Sequence, residues 1–271
     1  MRVSIGHVTR YTYGFPSRYS IQSLRLTPPS FKGQRVIEWR VTAPGIDKAT
    51  IYRDGFGNTV HLTTYNEDHS EILIIAKGVV ETEDMAGVVQ GLHELTPRRV
   101  FLRQTERTIA SDPVRDLVAK SGAAPDIAGM HTLMDAIRDA VEYKTGVTNP
   151  ATTATEALEN GEGVCQDHAH ILIAAARGMG LPARYVNGYY LSGSDEPSEA
   201  HHAWGEVWMD GLGWVGFDPA NRTCPTDAYV RLATGLDSAS AAPIRGTRLG
   251  GAYEALDVIV EVQQQNSQQQ Q

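Results

Sequence analysis

Three short segments hold the residues most capable of chemistry. The first is Gly161-Glu162-Gly163-Val164-Cys165-Gln166-Asp167-His168-Ala169-His170. Its two glycines permit a tight loop, and Cys165 falls in the first turn of the helical pattern that follows. Unpaired backbone N–H groups and the positive end of the helix dipole meet at such a position, and both favour a thiolate over a thiol. The same N–H groups are placed to stabilise an oxyanion on an attacked carbonyl. Taken alone, the segment fits a small buried cysteine between helix and sheet equally well.

The second segment is Glu199-Ala200-His201-His202-Ala203-Trp204-Gly205-Glu206-Val207-Trp208. Read as a strand, it puts His202, Trp204, Glu206 and Trp208 on one face, with His201, Ala203, Val207 and Met209 on the other. His202, at the strand's start, suits the base that pairs with a thiol. His201 reads as a solvent-exposed residue at a loop end, and Glu206 as a rim or packing residue. Trp204 and Trp208 read more as core than as a substrate platform, though Trp204 lies close enough to His202 to wall a substrate cleft.

The third segment is Trp214-Val215-Gly216-Phe217-Asp218-Pro219-Ala220-Asn221. Asp218 ends an apolar strand, where an unpaired carboxylate is costly to desolvate, so it needs a partner. Pairing the strands 201–209 and 214–217 as a hairpin brings it near His202. A plain two- or four-residue loop sets the two side chains on opposite faces, whereas a three-residue loop or a glycine bulge sets them on one. The sequence predicts such an irregularity at Gly211 or Gly213. Nucleophile, base and orienting acid then follow in the order Cys165, His202, Asp218, as attack on an amide through a thioester requires. This chemistry calls for no cofactor.

The surrounding elements must bring these segments together. The first eighty or so residues read as short β-strands. His7–Tyr13, Leu24–Leu26, Val36–Val41, Thr59–Tyr65 and Ile72–Val80 alternate apolar and polar residues between turn signals such as Asp54-Gly55-Phe56-Gly57-Asn58. Helical spacing follows over 112–122 and 131–143, and most clearly over Val164–Met179, before the strands 183–191, 201–209 and 214–217. The predicted fold is α+β. A β-rich domain spans 1–84, a linker 85–105, and a core 106–262 that includes a C-terminal strand; a disordered Gln-rich tail covers 263–271.

At these residues the chain resembles the bacterial transglutaminase-like superfamily, which has a papain-like core. The motifs are Gly163-Val164-Cys165-Gln166-Asp167-His168-Ala169-His170, His202-Ala203-Trp204 and Phe217-Asp218-Pro219. Leu24–Pro28 and Asp54–Asn58 are similar to the β-rich domain preceding the core in bacterial members, and Ala242–Gly246 is similar to their C-terminal end. His168 departs from the pattern, since relatives more often carry an aromatic such as Phe there. The resemblance implies a cysteine on a helix with His and Asp on adjacent strands. It also implies a peptide or amide substrate, and either hydrolysis or acyl transfer to an amine as the reaction.

Composition narrows the alternatives. A net charge of −8 with no basic cluster argues against nucleic acid as partner. No stretch is long and apolar enough for a membrane span, and only two cysteines occur, Cys165 and Cys224, so a reducing cytoplasm is the expected location. Cys224 reads as a bystander. A metal site built from Cys165, His168, His170, His201 and His202 is disfavoured, because His168 and His170 diverge on a helix and no zinc-type spacing is present. A non-catalytic peptide-binding module is the other rival, countered by the presence of all three triad residues in order. Asp167 and His170 read as helix-end and packing groups.

Overall fold

The computed structural model describes residues 1–192 and 201–265. The N-terminal region is organised around β1 (Arg2–Thr27), a strand of 26 residues that absorbs the two short strands expected there. It is followed by β2 (Gln34–Thr42), β3 (Thr50–Arg53), β4 (Thr59–Tyr65) and β5 (His69–Thr82). All pairings in this sheet are antiparallel, in the order β2-β5-β1-β4-β3. In β2 the register shifts between Val36 and Glu38, so Ile37 leaves the face of Trp39 and is 41% exposed. Regular alternation was predicted there, and the bulge inverts the phase of the residues before it.

Next comes β6 (Val88–Val89), inside the segment read as a linker. It pairs with β11 of the second sheet (Gly213–Phe217) instead of spanning a gap. The helices are α1 (Asp112–Ser121), α2 (Ile127–Ala140), α3 (Ala154–Asn160) and α4 (Cys165–Gly178). Two short parallel strands, β7 (Glu142–Tyr143) and β8 (Glu162–Gly163), tie the ends of α2 and α3 together. The second sheet contains β9 (Ala183–Tyr190), β10 (His201–Met209), β11 (Gly213–Phe217) and β12 (Tyr229–Gly235), in the order β12-β9-β10-β11-β6.

The chain ends with β13 (Ile244–Gly250) and β14 (Glu254–Gln264). The C-terminal strand does not belong to the core as predicted. β14 pairs with β1 from Val3↔Gln264 to Tyr13↔Glu254, so the last strand completes the first sheet. Its alternating Leu256, Val258, Val260 and Val262 line up with the inward-facing positions of β1, which explains the choice of partner. Gln263 and Gln264, assigned to the tail, are part of this strand. Residues 266–271 of the tail and most of the loop predicted at 192–199 lie outside the described residues.

The fold is α+β, with two cores. One gathers α2, α4 and the helix-facing side of β10 and β11, including Leu133, Ile137, Leu172, Val207 and Phe217. The other packs the first sheet on the second, with Val3, Ile5, Leu24 and Ile74 against Tyr189, Val230 and Leu232. Among the described residues, no helix is long and apolar enough to cross a membrane.

Candidate active site

Cys165 is the first residue of α4, and its side chain is half-buried. The helix start is held by Asp167, whose Oδ2 accepts from the Val164 N–H at 2.9 Å and from Thr148 Oγ1 at 2.7 Å. Gly163 is required here: a Cβ on it would stand 2.9 Å from Cβ of Asp167. His168, at the position where relatives favour an aromatic, fills the gap behind the turn. Its Nδ1 lies 2.8 Å from the Val164 carbonyl and its Nε2 3.0 Å from that of Val141. His170 faces elsewhere and accepts from the Ser238 N–H. Asp167, His168 and His170 thus anchor the helix that carries the thiol, and among the described residues no His, Cys, Asp and Glu side chains cluster to hold a metal ion.

The β10–β11 ladder pairs Met209 with Gly213 and Gly205 with Phe217, leaving the three-residue loop Asp210–Leu212. Gly211 and Gly213 both take positive φ, 84° and 87°, which glycine tolerates without strain. An odd loop keeps Asp218 in phase with His202 and Trp204. The outcome is a hydrogen bond of 2.7 Å between His202 Nε2 and Asp218 Oδ2. His202 also hydrogen-bonds the Cys165 side chain. Since the carboxylate engages Nε2, Nδ1 is the nitrogen left to the sulfur. The structure therefore brings Cys165, His202 and Asp218 together.

Two residues without a role in the sequence reading complete the arrangement. Tyr229 Oη donates to Asp218 Oδ2 at 2.7 Å, and Asn221 Nδ2 donates to the same oxygen at 2.8 Å. The other oxygen, Oδ1, accepts the Ala220 N–H at 3.1 Å. Asn221 follows Asp218 closely enough to be noticed in sequence, whereas Tyr229 lies on another strand with no local signal.

These contacts decide the electrostatics. Burial alone disfavours a charged His202, but its hydrogen bonds to Asp218 and Cys165, and their charges, push it up to about 10. Burial likewise opposes a charged Asp218, yet His202, Tyr229 and Asn221 hold its carboxyl below the usual range. An imidazolium at neutral pH beside a cysteine sulfur, oriented by a buried carboxylate, is the arrangement that nucleophilic cysteine chemistry uses.

Trp204, read as core or as a cleft wall, is 2% exposed and stacks beside His202 with ring centroids 6.4 Å apart. It sits edge-on to Tyr229, so the two rings support the imidazole from within. The half-buried Tyr190 ring lies 5.4 Å from His202. His201 is not a solvent-facing loop residue: its ring packs 5.7 Å from His7 of β1, and burial, with the charge of His202, lowers it to about 4. Glu206 is no rim residue either. It is 1% exposed and paired with Arg184, from the adjacent β9, and with Arg231, from β12 one strand beyond.

Comparison with known proteins agrees with this architecture. Residues 115–219 match the transglutaminase-like superfamily core, and residues 3–81 match the bacterial transglutaminase-like N-terminal region. The chain belongs to the transglutaminase-like superfamily. An uncharacterized relative from Mycobacterium leprae is 32% identical, over 96% of this chain and 98% of its own length. A crystal structure of a candidate cysteine protease from Cytophaga hutchinsonii has the same transglutaminase-like fold, with a TM-score of 0.75 and 21% identity over 97% of this chain and 90% of that one. A shorter match, 32% identical over 31% of this chain and 13% of the other, is to a protein-glutamine gamma-glutamyltransferase of Pseudomonas aeruginosa.

Proposed function

We propose that this transglutaminase-like protein cleaves an amide or peptide bond through a thioester on Cys165. The observation that carries the reading is His202 joined to both Cys165 and Asp218. The proton of the Cys165 thiol already rests on His202, and the sulfur, as thiolate, attacks the amide carbonyl, forming a C–S bond. The N–H groups of the first turn of α4 face the developing oxyanion. His202 then returns the proton to the amine as the C–N bond breaks. Water, deprotonated by the same imidazole, adds to the thioester and releases the acid and the free thiol. Asp218, fixed by Tyr229 and Asn221, keeps Nδ1 directed at sulfur and stabilises the imidazolium.

An amine in place of water at the second step gives acyl transfer, the activity named for the Pseudomonas aeruginosa relative. The decisive experiment incubates the protein with a peptide pool and quenches it in acid. Mass spectrometry of the Cys165 peptide then reads out the acyl adduct. The adduct is expected on the wild type and absent from Cys165→Ala. Turnover retained in Cys165→Ala rejects the mechanism.

A further inference from the structure

A cluster of charges lies away from the triad on the same sheet. Arg184, Arg231 and Glu206 are 1%, 6% and 1% exposed. Glu206 accepts from Arg184 Nε at 2.5 Å through Oε2 and from Arg231 Nε at 2.9 Å through Oε1. Two buried guanidiniums against one buried carboxylate leave one positive charge, which must be met by an anion. Glu94 meets it, with both carboxylate oxygens 3.0 Å from a single nitrogen, Arg184 Nη1. Unlike Glu206, Glu94 is 38% exposed and sits in a stretch, 92–95, without regular structure.

The fit of Glu94 is incomplete. A guanidinium binds a carboxylate best with two parallel N–H donors, and here only one nitrogen is used. Arg184 Nη2 is buried with no hydrogen-bond partner among the described residues. Alongside lies a cavity of about 130 Å³, lined by Arg53, His93, Glu94, Arg184 and Arg231 among others. Its size admits a group about as small as acetate, and its lining is basic in a chain whose net charge is −8.

We propose that Arg184 and Arg231 form a carboxylate-binding site, which Glu94 occupies in this structure and which a ligand carboxylate takes over by displacing it. Arg231 is in register with Gly188, and Gly188 with His202. Register partners share a face, and two strand spacings separate Arg231 from His202 by roughly 10 Å. A carboxylate seated there holds its carrier on the face of the sheet that carries the imidazole.

The test compares wild type with Glu94→Gln, a conservative change at a half-exposed position. Acetate is titrated at constant ionic strength, and thermal unfolding and calorimetry are followed. Glu94→Gln is expected to be stabilised saturably, with a midpoint at least ten-fold lower in acetate than wild type. Neutral acetamide and chloride are expected to leave it unchanged. Arg184→Lys in the Glu94→Gln background, which keeps the charge but loses the second donor, is expected to raise the midpoint at least ten-fold. Equal acetate responses in wild type and Glu94→Gln overturn the proposal, as does acetamide or chloride matching acetate. Those comparisons stand whether or not the Arg184→Lys protein folds.

Discussion

His202 Nε2 stands 2.7 Å from Asp218 Oδ2, although β11 ends one residue before Asp218 and pairs with β10 only as far as Gly205. The contact depends on the phase set by the Asp210–Leu212 loop. Adding one residue between Gly211 and Leu212 makes the loop even and turns Asp218 to the opposite face. The expected result is a folded protein with a slowed Cys165. Circular dichroism checks the fold, and iodoacetamide labelling rates check the thiol; an unchanged rate contradicts the reading.

The two thiols differ in environment, and labelling separates them. Burial, followed by the charge of Asp84, pushes the Cys224 thiol up to about 11. At pH 7 only about one Cys224 in ten thousand is then ionised, and thiolate is the reactive form. Cys165, half-buried and joined to His202, is expected to alkylate at least ~10-fold faster. Peptide mass spectrometry after brief exposure measures the ratio.

Stability is expected to depend on pH through His202. Its folded value is about 10, above the ordinary 6.5. The folded state therefore holds more protons between those values, and stability falls as pH rises from about 6.5 to about 10. The contribution is complete below pH 6.5. Urea unfolding across this range should show the loss in wild type and a flatter profile in His202→Asn. Asp218→Asn removes the acceptor that raises the imidazole, so the alkaline limb of the Cys165 labelling profile should move to lower pH.

The start of the helix that carries Cys165 depends on Asp167. Asp167→Ala leaves the Val164 N–H and the Thr148 hydroxyl without their acceptor, and loss of such a cap costs about 1–2 kcal/mol. Chemical denaturation measures it. Cys165 labelling should slow in the same variant, because the first turn of α4 frays.

Removal of β14 by truncation after Tyr253 should destabilise the N-terminal sheet. Val3, Ile5 and His7 of β1 lose their partners Gln264, Val262 and Val260 on one edge. A clear fall in melting temperature is expected, together with greater protease sensitivity of residues 1–27. A truncated protein as stable as the full chain would contradict the pairing.

The amino-acid sequence by itself determined the reactive side chains, their order and the elements bearing them. Local rules sufficed for this: a glycine turn before a helix places Cys165, alternation over 201–209 places His202, and a strand stopped by proline places Asp218. Even the loop irregularity was legible, since loop parity and glycine content are local properties. The family could be read from the same residues.

The tertiary structure decided everything that depends on which distant surfaces meet. A strand's alternation tells which face it buries but not against which partner, so β14 was assigned to the core and β6 was missed in a linker. In isolation Glu206 reads as either rim or packing and Trp204 as either core or cleft wall; two arginines from β9 and β12 bury the first, and the ring of Tyr229 covers the second. Tyr229 meets Asp218 although β9 and β10 lie between β12 and β11 in the sheet order, a contact that no local signal announces. Local sequence carries chemistry and period, while partner choice is a property of the assembled sheet.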